Sequence, residues 1–137
     1  MPYELIDHTA DLGVCVTAES LEELFETAAH AMFEQIVDPG SLSGKHSTAI
    51  QVCGIDLPDL MINWLRELLF IWNGLESLLK KAHIENIKET ELAASIWFDS
   101  FDAKRHDILT DIKAVTYHGI HVDKTKEGWR ADIIFDV

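Results

Sequence analysis

Basic side chains are scarce in this chain of 137 residues: 11 Lys and Arg stand against 24 Asp and Glu, a formal net charge of −13. Affinity for a phosphate backbone comes from neutralising phosphates with Lys and Arg, so this balance argues against direct gripping of nucleic acid. It favours divalent cations or a basic protein partner through long-range attraction, and it also serves solubility alone. Cysteine is nearly absent. Cys15 and Cys53 sit among apolar residues outside any CxxC pair, which reads as buried thiols in a reducing compartment. Long hydrophobic runs are lacking too. The longest, around Leu68 to Trp72, is far short of the roughly 20 residues a membrane span needs, and no charged-then-apolar leader opens the chain. A cytoplasmic protein with no membrane partner is the expectation. Neither a Gly-rich phosphate loop nor a G-x-S-x-G turn is present, so nucleotide and covalent chemistry are poorly supported. No internal repeat breaks the chain, and its length suits one domain over residues 1–137.

What is present is a globular composition, 47% apolar with a mean hydropathy of +0.04. Residues 3–7 and 12–18 read as strands. In the second, Leu12, Val14, Val16 and Ala18 share one face and Gly13, Cys15 and Thr17 the other. Ser20-Leu21-Glu22-Glu23 is a capping box, and Leu21, Leu24, Phe25, Ala28, Met32 and Ile36 follow at helical spacing until Asp38-Pro39-Gly40. After a polar loop, Thr48 to Gly54 reads as a strand. Asp56 caps a second helix with Pro58 in its first turn and a wide stripe from Leu57 to Trp72, a core stripe rather than a cofactor box; Asn73-Gly74 ends it. Residues 82–88 and 92–98 form one predicted hairpin. Residues 111–122 and 129–137 form another, and 99–110 is a polar connection. The order predicts an α+β fold: a mixed, largely antiparallel sheet with two main helices packed on one face, in a single domain.

Strand parity sorts the candidate site residues. In the last strand Asp132, Ile134 and Asp136 point one way, while Ala131, Ile133, Phe135 and Val137 point to the core. Asp7 and Asp11 lie four apart near the start. If the two ends are neighbouring strands, Asp7, Asp11, Asp132 and Asp136 bring oxygen donors together, which suits Ca²⁺ or Mg²⁺ rather than zinc. The alternative is four solvated carboxylates, because like charges gather at a cost without a cation. His118 and His121 tempt a zinc reading, but residues three apart on a strand face opposite sides. His8 can pair with His118, yet no third ligand is evident, and a zinc hydrolase is the weaker alternative. Lys113 is placed to reach a phosphate or an Asp across the sheet, unless it is only a surface lysine.

Several stretches are also recognisable. They are Asp7-His8-Thr9-Ala10-Asp11, the capped Ser20-Leu21-Glu22-Glu23-Leu24-Phe25, and Asn63-Trp64-Leu65-Arg66-Glu67-Leu68-Leu69. Asp111-Ile112-Lys113-Ala114-Val115-Thr116-Tyr117-His118 and the closing Phe135-Asp136-Val137 complete the set. Spread over nearly the whole chain, they resemble the archease family; the main departure is Trp72 to Ser77. The resemblance implies a cytoplasmic protein that binds calcium (Mg²⁺ or Mn²⁺ stay open) through Asp11, Asp136 and Val137. It implies an activator, without chemistry of its own, of the RtcB-type tRNA-splicing ligase, promoting its guanylylation and multiple turnover in tRNA processing. RNA would be met only through that ligase. A chaperone-like role towards tRNA-modification proteins is a second implied reading. Asp7, His8, Lys113, His118 and Asp132 are secondary or partner-contacting candidates, with Tyr117 and His118 as supporting or core residues.

Overall fold

The computed structural model describes residues 2–8 and 11–137, with the side chains of residues 6–8 outside that description. Among the described residues seven strands and two α-helices follow one another: β1 (Tyr3–His8), β2 (Asp11–Ala18), α1 (Leu21–Ile36), β3 (His46–Cys53), α2 (Leu57–Asn73), β4 (Ser77–Ile87), β5 (Glu91–Ser100), β6 (Ala114–Thr125) and β7 (Gly128–Asp136). The α+β class and the two helices are as expected. The strands, however, divide into two sheets, ordered β1-β2-β7-β6 and β3-β5-β4, and every pairing is antiparallel. Periodicity marks which face of a strand is buried but not which strand lies beside it, so the split was not legible.

Both helices start where their caps require. The Ser20 hydroxyl accepts from the Glu23 N–H (3.1 Å), and Asp56 Oδ1 accepts from the Asp59 N–H (2.9 Å). Each helix touches both sheets: α1 lies against β4, β2 and β7, and α2 against β6, β4 and β3. Their apolar stripes meet in one core containing Phe25, Met32, Trp64, Leu68 and Phe135, all fully buried. Trp64 joins the helices directly, its indole N–H donating to the Phe25 carbonyl (2.9 Å). The polar side of α1 serves the sheet edges. Glu26 Oε2 accepts from the Ile84 N–H (2.8 Å) and His30 Nε2 from the Ala82 N–H (3.1 Å), so the edge strand β4 finds partners for its backbone. Glu34 accepts from the Tyr3 hydroxyl of β1 (2.6 Å).

Some boundaries move. β4 begins at Ser77 rather than near residue 82, and two register shifts, between Leu79 and Lys81 and between Ile84 and Asn86, break the alternation that would have revealed it. β6 begins at Ala114 rather than Asp111. Ile112 is nevertheless fully buried, at the end of a connection held to α1 by the Leu109 N–H on the Ile36 carbonyl (2.7 Å). Within β6, Thr116 pairs with Ile134 and His121 with Asp132, so Tyr117 to Ile120 bulge outward, with Gly119 at φ 66° supplying the left-handed residue.

Candidate functional site

The register brings the two ends together. Asp11 opens β2 and stands directly opposite Asp136, the last residue of β7, and Asp136 stands opposite Ala114 on β6. Directly opposed residues of an antiparallel pair have their Cβ atoms about 4.5–5.5 Å apart on one face. Here that face looks away from the helices, because the alternating neighbours Val14, Ile133 and Phe135 are in the core. The Asp136 carbonyl accepts from the Lys113 N–H (2.7 Å), which fixes Lys113 beside this end of the sheet with its side chain exposed.

The remaining candidates are distributed more widely. Val137 follows the end of β7 and is 38% exposed, so its side chain does not continue the strand's core-facing set. Strand parity lapses where pairing stops. Asp7 lies opposite Leu12, and His8 opposite Asp11 in the same row as Asp136; their side chains are outside the described set, as are Thr9 and Ala10. Asp132 is four residues up β7, opposite Cys15 and His121, and its Oδ1 accepts from Arg130 (3.2 Å). At about 3.3 Å per residue it is too far along the strand to share an ion with Asp136. His118 is exposed on the β6 bulge and makes a contact of its own. The side chain of His121 is turned towards Asp123 (4.0 Å).

Among the described residues no three His, Cys, Asp or Glu side chains gather as a ligand set. Asp11 and Asp136 are therefore a two-carboxylate pair, all oxygen, to which main-chain oxygens of Val137 are adjacent in sequence. That chemistry fits a hard cation in kind and falls short of the six to eight oxygens calcium takes.

Other features escaped sequence reasoning. Neither thiol is fully buried: Cys15 is half-buried and Cys53 exposed. Burial, and then the neighbouring Asp132 carboxylate, pushes the Cys15 thiol up to about 11, so it stays protonated and unreactive at neutral pH. Tyr117 is 49% exposed and no core residue. Its hydroxyl donates to Asp59 Oδ1 (2.8 Å), and the Arg66 guanidinium lies 4.6 Å from its ring centre while Arg66 Nε donates to the Val115 carbonyl (3.1 Å). These contacts pin the bulge to α2. The Ile55 N–H, then the Tyr117 hydroxyl, hold the Asp59 carboxyl below its ordinary value. Asp99, in what reads as a polar connection, is 7% exposed and accepts three backbone N–H groups. Only the run of motifs around Arg66 and Tyr117 hinted at any of this.

The model of the Archease protein family (MTH1598/TM1083) matches residues 3–137. The chain belongs to the archease family. An archease of Methanosarcina acetivorans is 36% identical over 139 residues, covering 98% of this chain and 95% of that protein. One from Pyrococcus abyssi is 34% identical over 140 residues, covering 98% of each. The solution structure of Methanobacterium thermoautotrophicum protein 1598 superposes with a TM-score of 0.81 at 29% identity, over 99% of both chains. The fold is shared with a Thermotoga maritima crystal structure described as an archease, possible chaperone (TM-score 0.67, 19% identity, 96% of this chain and 94% of that one). Among the described residues no helix of this archease is long and apolar enough to cross a membrane.

Proposed function

We propose that this archease binds calcium at Asp11, Asp136 and the main-chain oxygens of Val137, and that this end of the sheet activates an RtcB-type tRNA-splicing ligase. The observation that carries the reading is the Asp11–Asp136 register across β2 and β7, with Lys113 held alongside. Mg²⁺ and Mn²⁺ share the preference for oxygen donors. Two carboxylates leave most of a coordination shell to water or to groups of a partner, which suits a protein that works at another enzyme's centre. Bound there, the ion supplies positive charge to a phosphoryl-transfer site, where positioning and electrostatics dominate. The chain's own part is to hold the carboxylates on paired strand ends, so that little reorganisation is needed on docking, and to present the Lys113 ammonium towards phosphate or carboxylate groups. The net charge of −13 steers the protein to a basic RNA-binding cleft, which makes association salt-sensitive. RNA is met through the ligase, and the archease performs no reaction itself.

The test mixes the protein with ligase, GTP and a divalent metal and counts ligation turnovers. Asp136→Ala should abolish activation and, by calorimetry, calcium binding, with the fold intact. Undiminished activation by Asp136→Ala refutes the assignment. A chaperone-like role is the second reading, favoured by the exposed Ile55, Phe70, Leu75 and Leu109 (84%, 57%, 61% and 62%). Protection of unfolded clients that survives Asp11→Asn, without ligase activation, would select it.

A further inference from the structure

A cleft of about 250 Å³ lies where the loop before β3 meets the connection after β5. Ser43, Lys45, His46, Ser100, Arg105 and His106 line it. In a chain this acidic, two cations lining one cleft should have found carboxylates. Yet neither Lys45 nor Arg105 makes an ion pair among the described residues, whose ion pairs fall on His83, Lys88, His121 and Arg130.

His106 adds an independent sign. It is only 5% exposed, and its Nδ1 accepts from the Asp102 N–H (3.0 Å). The neutral ring must then carry its proton on Nε2. That N–H makes no hydrogen bond to protein among the described residues, although the ring lines the cleft. Among the described residues no buried polar side-chain atom lacks a partner, so this N–H opens onto the cleft, where water or a ligand oxygen can accept from it.

Asp99 and Asp102 also line the cleft, with both Asp99 oxygens and one Asp102 oxygen engaged by backbone N–H groups. Asp99 Oδ2 accepts from the Ser43 and Gly44 N–H groups (2.7 and 2.8 Å) and Oδ1 from the Lys45 N–H (3.0 Å). Asp102 Oδ1 accepts from the Lys104 N–H (3.0 Å). No metal-ligand set forms there among the described residues. What the cleft offers is donors: an imidazole N–H, an ammonium, a guanidinium and the Ser43 and Ser100 hydroxyls. Tetrahedral oxyanions are recognised by such sets, with Arg matching two oxygens at once.

We propose that this cleft binds a phosphate-class oxyanion, either free phosphate or the phosphate monoester end of a larger molecule, held by His106 Nε2–H, Lys45 and Arg105. The site is separate from the Asp11–Asp136 pair and does not depend on the function proposed for it.

The test titrates ¹⁵N-labelled protein with inorganic phosphate and, separately, with adenosine 5′-monophosphate, at constant ionic strength set with chloride. Saturable shifts at the Ser43–Lys45 amides and the His106 side chain are expected. Lys45→Ala with Arg105→Ala should weaken binding at least tenfold, and Lys124→Ala with Lys126→Ala should leave it unchanged; Arg105→Gln alone replaces the double variant if that fails to fold. Tighter binding of the nucleotide identifies the monoester, and equal binding the free ion. Shifts reproduced by chloride alone, or a cleft variant that binds like the unaltered protein, overturn the proposal.

Discussion

Replacing Asp99 by Asn should be among the most destabilising isosteric changes in this protein. The carboxylate is almost wholly buried and divides three backbone N–H groups between its two oxygens. An amide of the same shape keeps one acceptor oxygen, turns an NH₂ towards the third donor and removes the charge. Hydrogen bonds to a charged group contribute about 1.5–3 kcal/mol each. Losing one and weakening two places Asp99→Asn at about 3 kcal/mol, a fall in Tm of roughly 10 °C for a domain this size. The pH dependence separates charge from shape. Burial alone would raise the Asp99 carboxyl, but the Gly44, Lys45 and Ser43 amides, with His106 nearby, outweigh it and hold it below the usual range. A folded value below the unfolded one gives stabilisation that is complete above about pH 4 and is lost as pH falls through the folded value. Urea unfolding from pH 7 to pH 3 should therefore show a constant gap between the two proteins near neutrality and a narrowing one in acid. Hydrogen exchange should speed up at Ser43, Gly44 and Lys45. A gap under about 0.5 kcal/mol, or one that ignores pH, would refute the reasoning.

Three further outcomes follow from the same geometry. Burial lowers the His30 pKa, with Lys81 adding to it and Glu26 and Glu34 opposing, so the unfolded chain binds the proton first; stability should decline as pH drops below about 6.5, and His30→Gln should flatten that slope in urea titrations at pH 7.5 and 5.5. Gly128 turns into β7 at φ 148°, and a Cβ there would strike the Ala18 carbonyl, so Gly128→Ala should cost about 2–4 kcal/mol in thermal unfolding. Trp64→Phe removes the indole N–H bond to Phe25 and part of the core filling, and a loss of about 2 kcal/mol by denaturant midpoint is expected.

The local signals in the chain were readable because each has a local cause. Ser20 and Asp56 cap the helices they precede, and the Leu21–Ile36 and Leu57–Asn73 stripes fill the core. Parity placed Asp136 on the face away from Phe135, and the register then set it opposite Asp11. What could not be read depends on partners distant in sequence. Asp99 belongs to amides 54 to 56 residues earlier. His30 and Glu26 serve a strand whose irregular register hides its own start. The contact between Asp59 and Tyr117 exists only because β6 bulges, and no alternation pattern announces a bulge. Val137 illustrates the converse, since extending strand parity past the last paired residue assigned it to the core.

The order β1-β2-β7-β6 has a kinetic consequence. β7 sits in the interior of its sheet, yet it follows every other strand of the chain. β2 must wait for a neighbour paired through Asp11 and Asp136, 125 positions apart. Contacts of such long sequence separation are closed late and slowly. On the ribosome, β2 would emerge with one edge unpaired and remain so until β7 arrives. The three-stranded sheet is complete by Ser100 and can form earlier. Assembly should thus proceed in two phases, and the opposed carboxylates should be among the last features to appear, so that possession of that pair reports a fully folded molecule.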